Sequence, residues 1–200
     1  MNEYRTHKCN ELTLKNVGEK VKIAGWIQTV RDLGGLLFLT IRDQYGIIQA
    51  VIDGQSNMVD ELSKIPVEST ISVTGVLRKR SAINSNMETG EIEILIESYI
   101  ILGKRTKNLP FEINDDKEVR EDLRLQYRFL DLRNEKIKNN ILLRSKIIQY
   151  LRNQMSNKGF TEVQTPILTS SSPEGARDYL VPSRVHPRKI LCTSTSTTTI

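Results

Sequence analysis

Along residues 36–42, LLFLTIR, branched aliphatic side chains recur at every second position around a single phenylalanine. Successive side chains of a strand point to opposite faces. If Leu37, Leu39 and Ile41 fill an interior, Phe38 stands outside with Leu36, Thr40 and Arg42. A ring displayed that way is a stacking platform for an unpaired base, at about 1–3 kcal/mol per base. Gln49, in the next strand, carries a donor and an acceptor suited to a base edge. Arg31 and the run Arg78-Lys79-Arg80 can hold phosphates. The same residues admit a plainer arrangement, in which Phe38 is core and the basic run is a solvated face. Alternation alone leaves both open.

The elements that must position these side chains can be read from the same stretch of chain. Residues 21–27 are β-rich, 31–35 (RDLGG) read as a turn and 36–42 as a second strand. Residues 43–46 (DQYG) read as a hairpin turn and 47–52 as a third strand. Residues 57–65 read as a short helix that stops before Pro66. Residues 69–77 and 91–101 supply two more strands, separated by a long polar loop. The order β-β-β-α-β-β in about 100 residues points to an OB-fold, a five-stranded Greek-key β barrel; a generic small barrel is the alternative.

Residues 106–136 are charged, with little apolar periodicity, and read as a connector with one helical turn near 118–123. In residues 137–158 the positions Ile137, Ile141, Ile148, Leu151 and Met155 recur at helical spacing, and Gly159 is a natural stop. Residues 161–168 read as a strand broken by Pro166, and 193–199 contain only Thr and Ser.

Composition is that of an ordinary globular chain, with 38% hydrophobic and 26% charged residues. No apolar run approaches the ~20 residues of a membrane helix, and the polar N-terminus does not read as a secretory signal. Cys9 and Cys192 fit no metal-ligand spacing and read as reduced thiols, so the expected location is cytoplasmic and no metal site is expected. The net charge of +5 gives mild support to a polyanionic partner. Its distribution weakens that support. The 29 basic and 24 acidic residues divide as 13 and 13 in residues 1–105 and as 16 and 11 in residues 106–200. Nucleic-acid binding by the first half must rest on local geometry.

Several strings carry a resemblance that covers nearly the whole chain: GWIQTVRDLGGLLFLTIRD, GIIQAVID, METGEIEI at 87–94, YRFLDLR and, most specific, PEGARDYLVPSR at 173–184. The chain resembles the bacterial type of aspartyl-tRNA synthetase. The synthetases for asparagine and lysine are similar in barrel and connector but lack the last string, which argues against a ligase for those amino acids. The resemblance implies an OB-fold that binds the anticodon loop of tRNA (residues 1–105), a connector (106–136) and the start of an α+β class II catalytic domain (137–187). Within the barrel it implies that Phe38 stacks on an anticodon base, Gln49 reads one and Glu93 contacts the first anticodon position, assisted by Arg31, Arg80 and Asn84. A carboxylate suits a guanine-like edge, from which it accepts.

In the second half the resemblance makes the helix plus GFTEVQTPIL the motif that builds the family's homodimer, with Pro166 its signature proline. Residues 169–176 become a loop over bound aspartate, and Glu174 the carboxylate that takes the substrate's ammonium group. The intact family enzyme uses ATP and Mg2+ to form aspartyl-adenylate, then moves the acyl group to tRNA. The ATP-clamping motifs of that family are expected well beyond position 200, so no complete catalytic set is expected here, and the chain alone is expected to be inactive. After His186-Pro187 the family continues GKFYALPQSPQ, whereas this chain reads RKILCTS. One set of codons for residues 188–194, read one base later, encodes GKFYALP, so residues 188–200 are expected to be an aberrant, frameshifted tail. A reading of a different class is a free-standing OB module that binds tRNA or other single-stranded nucleic acid without catalysis.

Overall fold

Fifteen apolar side chains at alternate positions of five strands point inward and are almost completely removed from water, among them Ile23, Leu37, Leu39, Ile41, Ile48, Ile71 and Ile94. Each Val, Leu or Ile among them contributes about 1.5–3 kcal/mol by that burial. The computed structural model describes residues 3–54, 57–113, 119–164, 166–169 and 179–193. By internal contacts the chain divides into two units, 1–135 and 136–200.

In the first unit β1 (Lys20–Asp32), β2 (Leu36–Arg42) and β3 (Ile47–Asp53) form an antiparallel meander. Helix α1 (Asn57–Leu62) follows, then β4 (Thr70–Lys79) and β5 (Ile92–Gly103). β4 pairs antiparallel with both β1 and β5, and β5 runs parallel to β3. The pairing returns on itself in the order β1-β2-β3-β5-β4, a closed barrel of OB type. Closure removes every free edge. β1 serves two neighbours because a register shift between Ile27 and Thr29 bends it from one to the other. β4 and β5 bend together at a second irregularity beside Gly75, where an added Cβ would stand 2.0 Å from the Leu95 carbonyl oxygen. Only glycine allows that approach.

The turn between β2 and β3 is organised by Asp43. Its Oδ1 accepts from the backbone N–H groups of Tyr45 and Gly46 at 2.7 and 2.9 Å. Its Oδ2 accepts from Cys9 N at 3.0 Å and so pins the N-terminal segment to the barrel. Cys9 is fully buried, and burial is the main cause that pushes its thiol pKa far up.

The connector is more structured than its composition suggests. It carries α2 (Glu121–Gln126) and α3 (Arg128–Asp131), where one helical turn near 118–123 was expected. The missed helix is held by charge instead of an apolar stripe: buried Asp131 accepts from Arg124 Nε at 2.8 Å and from Arg128. Arg133 then reaches the barrel. Its guanidinium lies 4.5 Å from the centre of the Trp26 ring, and its Nη1 donates to Glu68 Oε2 at 2.9 Å. The other oxygen of Glu68 accepts from Arg42 Nη2 at 2.7 Å, and both of these side chains are buried. Glu68 holds a left-handed backbone, φ +65°, in which its N–H donates to Ile27 O.

In the second unit α4 (Glu135–Asn157) is closed by Gly159 at φ +88°, with Phe160 N–H returning to Met155 O, a Schellman ending. No residue of α4 is buried. Beyond it, β8 (Ile190–Thr193) lies between β6 (Leu168–Thr169) and β7 (Tyr179–Pro182), antiparallel to both. The strand expected over residues 161–168 is not formed. Its described residues 161–164 have no regular structure, and pairing begins only at Leu168, after Pro166 has removed a donor. No described helix is long and apolar enough to cross a membrane.

Candidate nucleic-acid interface

The closed ladder sets outward-facing side chains into rows that cross the strands. One row starts at Arg31 on β1 and continues through its partner Phe38 on β2, Val51 on β3, Leu95 on β5 and Val76 on β4. Two residues along each strand lies a parallel row: Thr29, Thr40, Gln49, Glu93 and Arg78. The first row is apolar, with one aromatic ring and a cation at its edge, and its Val51 is completely covered. The second is polar throughout.

Phe38 resolves the alternatives that alternation left open. Leu37, Leu39 and Ile41 are completely buried, whereas Phe38 is half-buried and lies outside the core cluster. The ring is displayed on the outer face, and its strand partner Arg31 is exposed.

In the polar row, hydrogen bonds tie neighbours together. Thr29 Oγ1 donates to Thr40 Oγ1 at 2.8 Å. Gln49 Nε2 donates to Glu93 Oε2 at 2.8 Å, which orients the amide and turns its carbonyl oxygen away from the carboxylate. Arg78 Nε donates to Glu93 Oε1 at 2.9 Å. Glu93 is therefore a buried carboxylate, 5% exposed, with one donor on each oxygen. Each oxygen keeps a further lone pair, so the group can still accept from a ligand that presents two donors. Arg78 itself is 43% exposed.

The remaining expected residues are less convergent. Arg80 follows the end of β4, and its Nη1 faces Met87 Sδ at 4.0 Å. Asn84 sits in the loop between β4 and β5. Its Oδ1 accepts from Asn86 N at 3.1 Å and serves the turn. Pro166 is exposed, in the second unit. Glu174 and the first half of the PEGARDYLVPSR string, residues 173–178, lie outside the described residues. Sequence reasoning treated Arg78 as a phosphate contact and passed over Thr29 and Thr40. Their signal was register: Thr40 is the strand partner of Gln49, and Thr29 is the strand partner of Thr40. Among the described residues no group of three or more His, Cys, Asp or Glu side chains is placed to hold a metal ion.

Two family models match this chain: "OB-fold nucleic acid binding domain" over residues 21–102 and "tRNA synthetases class II (D, K and N)" over residues 120–198. The chain is 52% identical over 191 residues to the aspartate–tRNA(Asp/Asn) ligase of Pelagibacter ubique and 53% over 192 residues to that of Orientia tsutsugamushi. Each alignment covers 94% of this chain and 32% of the relative. The chain thus spans about a third of the length of these curated relatives. Among solved structures it is similar to the asparaginyl-tRNA synthetase of Pyrococcus horikoshii complexed with asparaginyl-adenylate (TM-score 0.80, 27% identity, 95% of this chain and 42% of that one). It shares the fold of a protein from Leishmania major described as a putative aspartyl-tRNA synthetase (TM-score 0.83, 21% identity, 98% and 40%).

Proposed function

We propose a function from one premise: the chain belongs to the class II tRNA synthetases of the D, K and N group. Its barrel reads the unpaired bases of a tRNA anticodon, and the whole protein of which it is a part charges tRNA with aspartate by way of aspartyl-adenylate. The observation that carries the reading is the pair of rows on the barrel's outer face. Phe38 supplies the stacking surface in the apolar row. Gln49 and Glu93, hydrogen-bonded to each other in the polar row, supply the edge that discriminates.

The two rows divide the work as single-strand recognition requires. A base laid on Phe38 gains stacking energy whatever its identity, and an exposed cation at Arg31 neutralises the backbone beside it. Identity is then decided by whether the base edge pairs with a buried carboxylate. A guanine-like edge offers two donors. An edge offering acceptors leaves Glu93 facing a lone pair in a water-poor site, which is costly. Arg80 and Asn84 act from the loop above the face.

The other roles follow the family. Glu174 takes the ammonium group of aspartate, and Pro166 belongs to a homodimer interface. ATP and Mg2+ supply the activation of the carboxyl group, and the location is the cytoplasm. The name shared by the bacterial relatives, tRNA(Asp/Asn), makes tRNA for asparagine a second candidate substrate of the whole protein. A chain of this span does not carry out aminoacylation alone and behaves as a tRNA-binding module.

Binding of the full chain to a fluorescent anticodon stem-loop tests this. Phe38→Ala should weaken binding about 5- to 150-fold, the worth of one stacked base. Equal affinity of the unsubstituted chain for stem-loops of every anticodon would remove the reading.

A further inference from the structure

We infer that Arg78 is a positioning residue for base discrimination: it holds the Glu93 carboxylate in the orientation that reads the base, and it is not primarily a phosphate contact. The inference rests on the reading of this face given above. Its evidence is geometric. Glu93 sits across the ladder from Arg78 on β4 and from Gln49 on β3, and each neighbour donates to a different carboxylate oxygen, at 2.9 and 2.8 Å. With both oxygens tethered, rotation about the terminal bond of the glutamate is stopped. The plane of the carboxylate is set before any ligand arrives.

Arg78 and Gln49 differ in what they bring. The amide of Gln49 is neutral. Arg78 brings the positive charge, on a side chain whose bonded Nε–H points along the sheet toward Glu93 while 43% of the side chain remains in water. Glu93 is 5% exposed, and a carboxylate so buried needs hydrogen-bonding partners to stay in place. Removing Arg78 leaves a carboxylate tethered on one side only. It can turn toward Gln49 and cease to present both oxygens outward. Phe38 lies in the adjacent row, where neither of its strand partners is Arg78, so stacking should survive the loss.

The experiment measures binding of the full chain to four anticodon stem-loops that differ only at the first anticodon position, at two salt concentrations. Arg78→Met keeps the aliphatic stem and removes the donor. It should cut the preference for guanine over the other three bases by about tenfold, while affinity for the non-guanine stem-loops stays within about twofold. Arg78→Lys, which can still donate once, should restore part of the preference. Adding Glu93→Gln to Arg78→Met should cost little more, because both changes act on one group.

A phosphate contact gives a different pattern. Arg78→Met would then weaken all four stem-loops equally and lower the salt slope by about one. That outcome, or an unchanged preference, overturns the inference and leaves the reading of the face standing. No preference in the unsubstituted chain overturns both. Thermal melts of each variant, expected to stay single and cooperative with a modest fall where buried Glu93 loses its charged partner, establish that the barrel still folds.

Discussion

The two units of this chain hold similar kinds of residue and do opposite things with them. In the first, alternate aliphatic side chains of five strands meet inside a closed ladder, and residues such as Ile23, Leu39 and Ile94 have no exposed surface. In the second, Ile141, Leu143, Ile147, Tyr150 and Leu151 lie along α4 at 44 to 62% exposure, and no residue of that helix is buried. Apolar content is therefore a poor guide to where a core forms. What separates the units is closure: a ring of strands encloses its own interior, whereas a helix has only an outside and depends on what packs against it.

The sharpest test of that contrast is the buried ion cluster that joins the connector to the barrel. Glu68→Ala strands Arg42, whose Nη1 already has no hydrogen-bond partner among the described residues, inside the protein and releases Arg133. The expected loss is about 3–5 kcal/mol of barrel stability, read from urea unfolding, together with earlier proteolysis within residues 119–135. If the loss is below about 1 kcal/mol, the connector is not part of the barrel's cooperative unit.

Next in size is a matched pair of truncations. Leu39→Ala should cost about 2–5 kcal/mol, because it opens a cavity in a sealed core. Leu151→Ala, on a side chain 55% exposed, should change the same unfolding midpoint by less than about 0.5 kcal/mol. Equal effects would mean that the second unit has a core of its own.

The smallest effect is confined to alkaline solution. Burial, reinforced by a hydrogen bond to Glu61, raises the Tyr99 hydroxyl to about 12 from an ordinary 10.0. The folded state keeps this proton where the unfolded state gives it up. The stabilisation is therefore complete below about pH 10 and is lost as the pH rises toward 12. Urea midpoints measured from pH 9 to 12 should fall for the parent protein, and should fall less for Tyr99→Phe. Identical pH profiles would show that the hydroxyl is not what ties β5 to α1.

How much of this was written in the sequence depends on the range over which each feature is encoded. The strand of residues 36–42 and the outward Phe38 came from strict local alternation, the turn at Asp43 from its DQYG residues, and the structure has them at those positions. Arg31 and Asp32 read as a turn because they are polar. They are in fact the end of β1, on a strand whose outer face tolerates polarity. The Gln49–Glu93 hydrogen bond joins residues 44 apart through a parallel pairing that no local pattern encodes. β7 and β8 escaped for a related reason: strands of four residues show no alternation when neither face is consistently buried.

One consequence attaches to Cys9. Its sulfur is sealed against the β2 carbonyl of Ile41, and its protonated form is favoured far beyond the ordinary thiol range. A thiol in that state is inert to alkylation until the N-terminal strap lifts off Asp43. The protein thereby carries an internal clock: the pace at which this one sulfur becomes modifiable counts the moments when the barrel's lid is ajar.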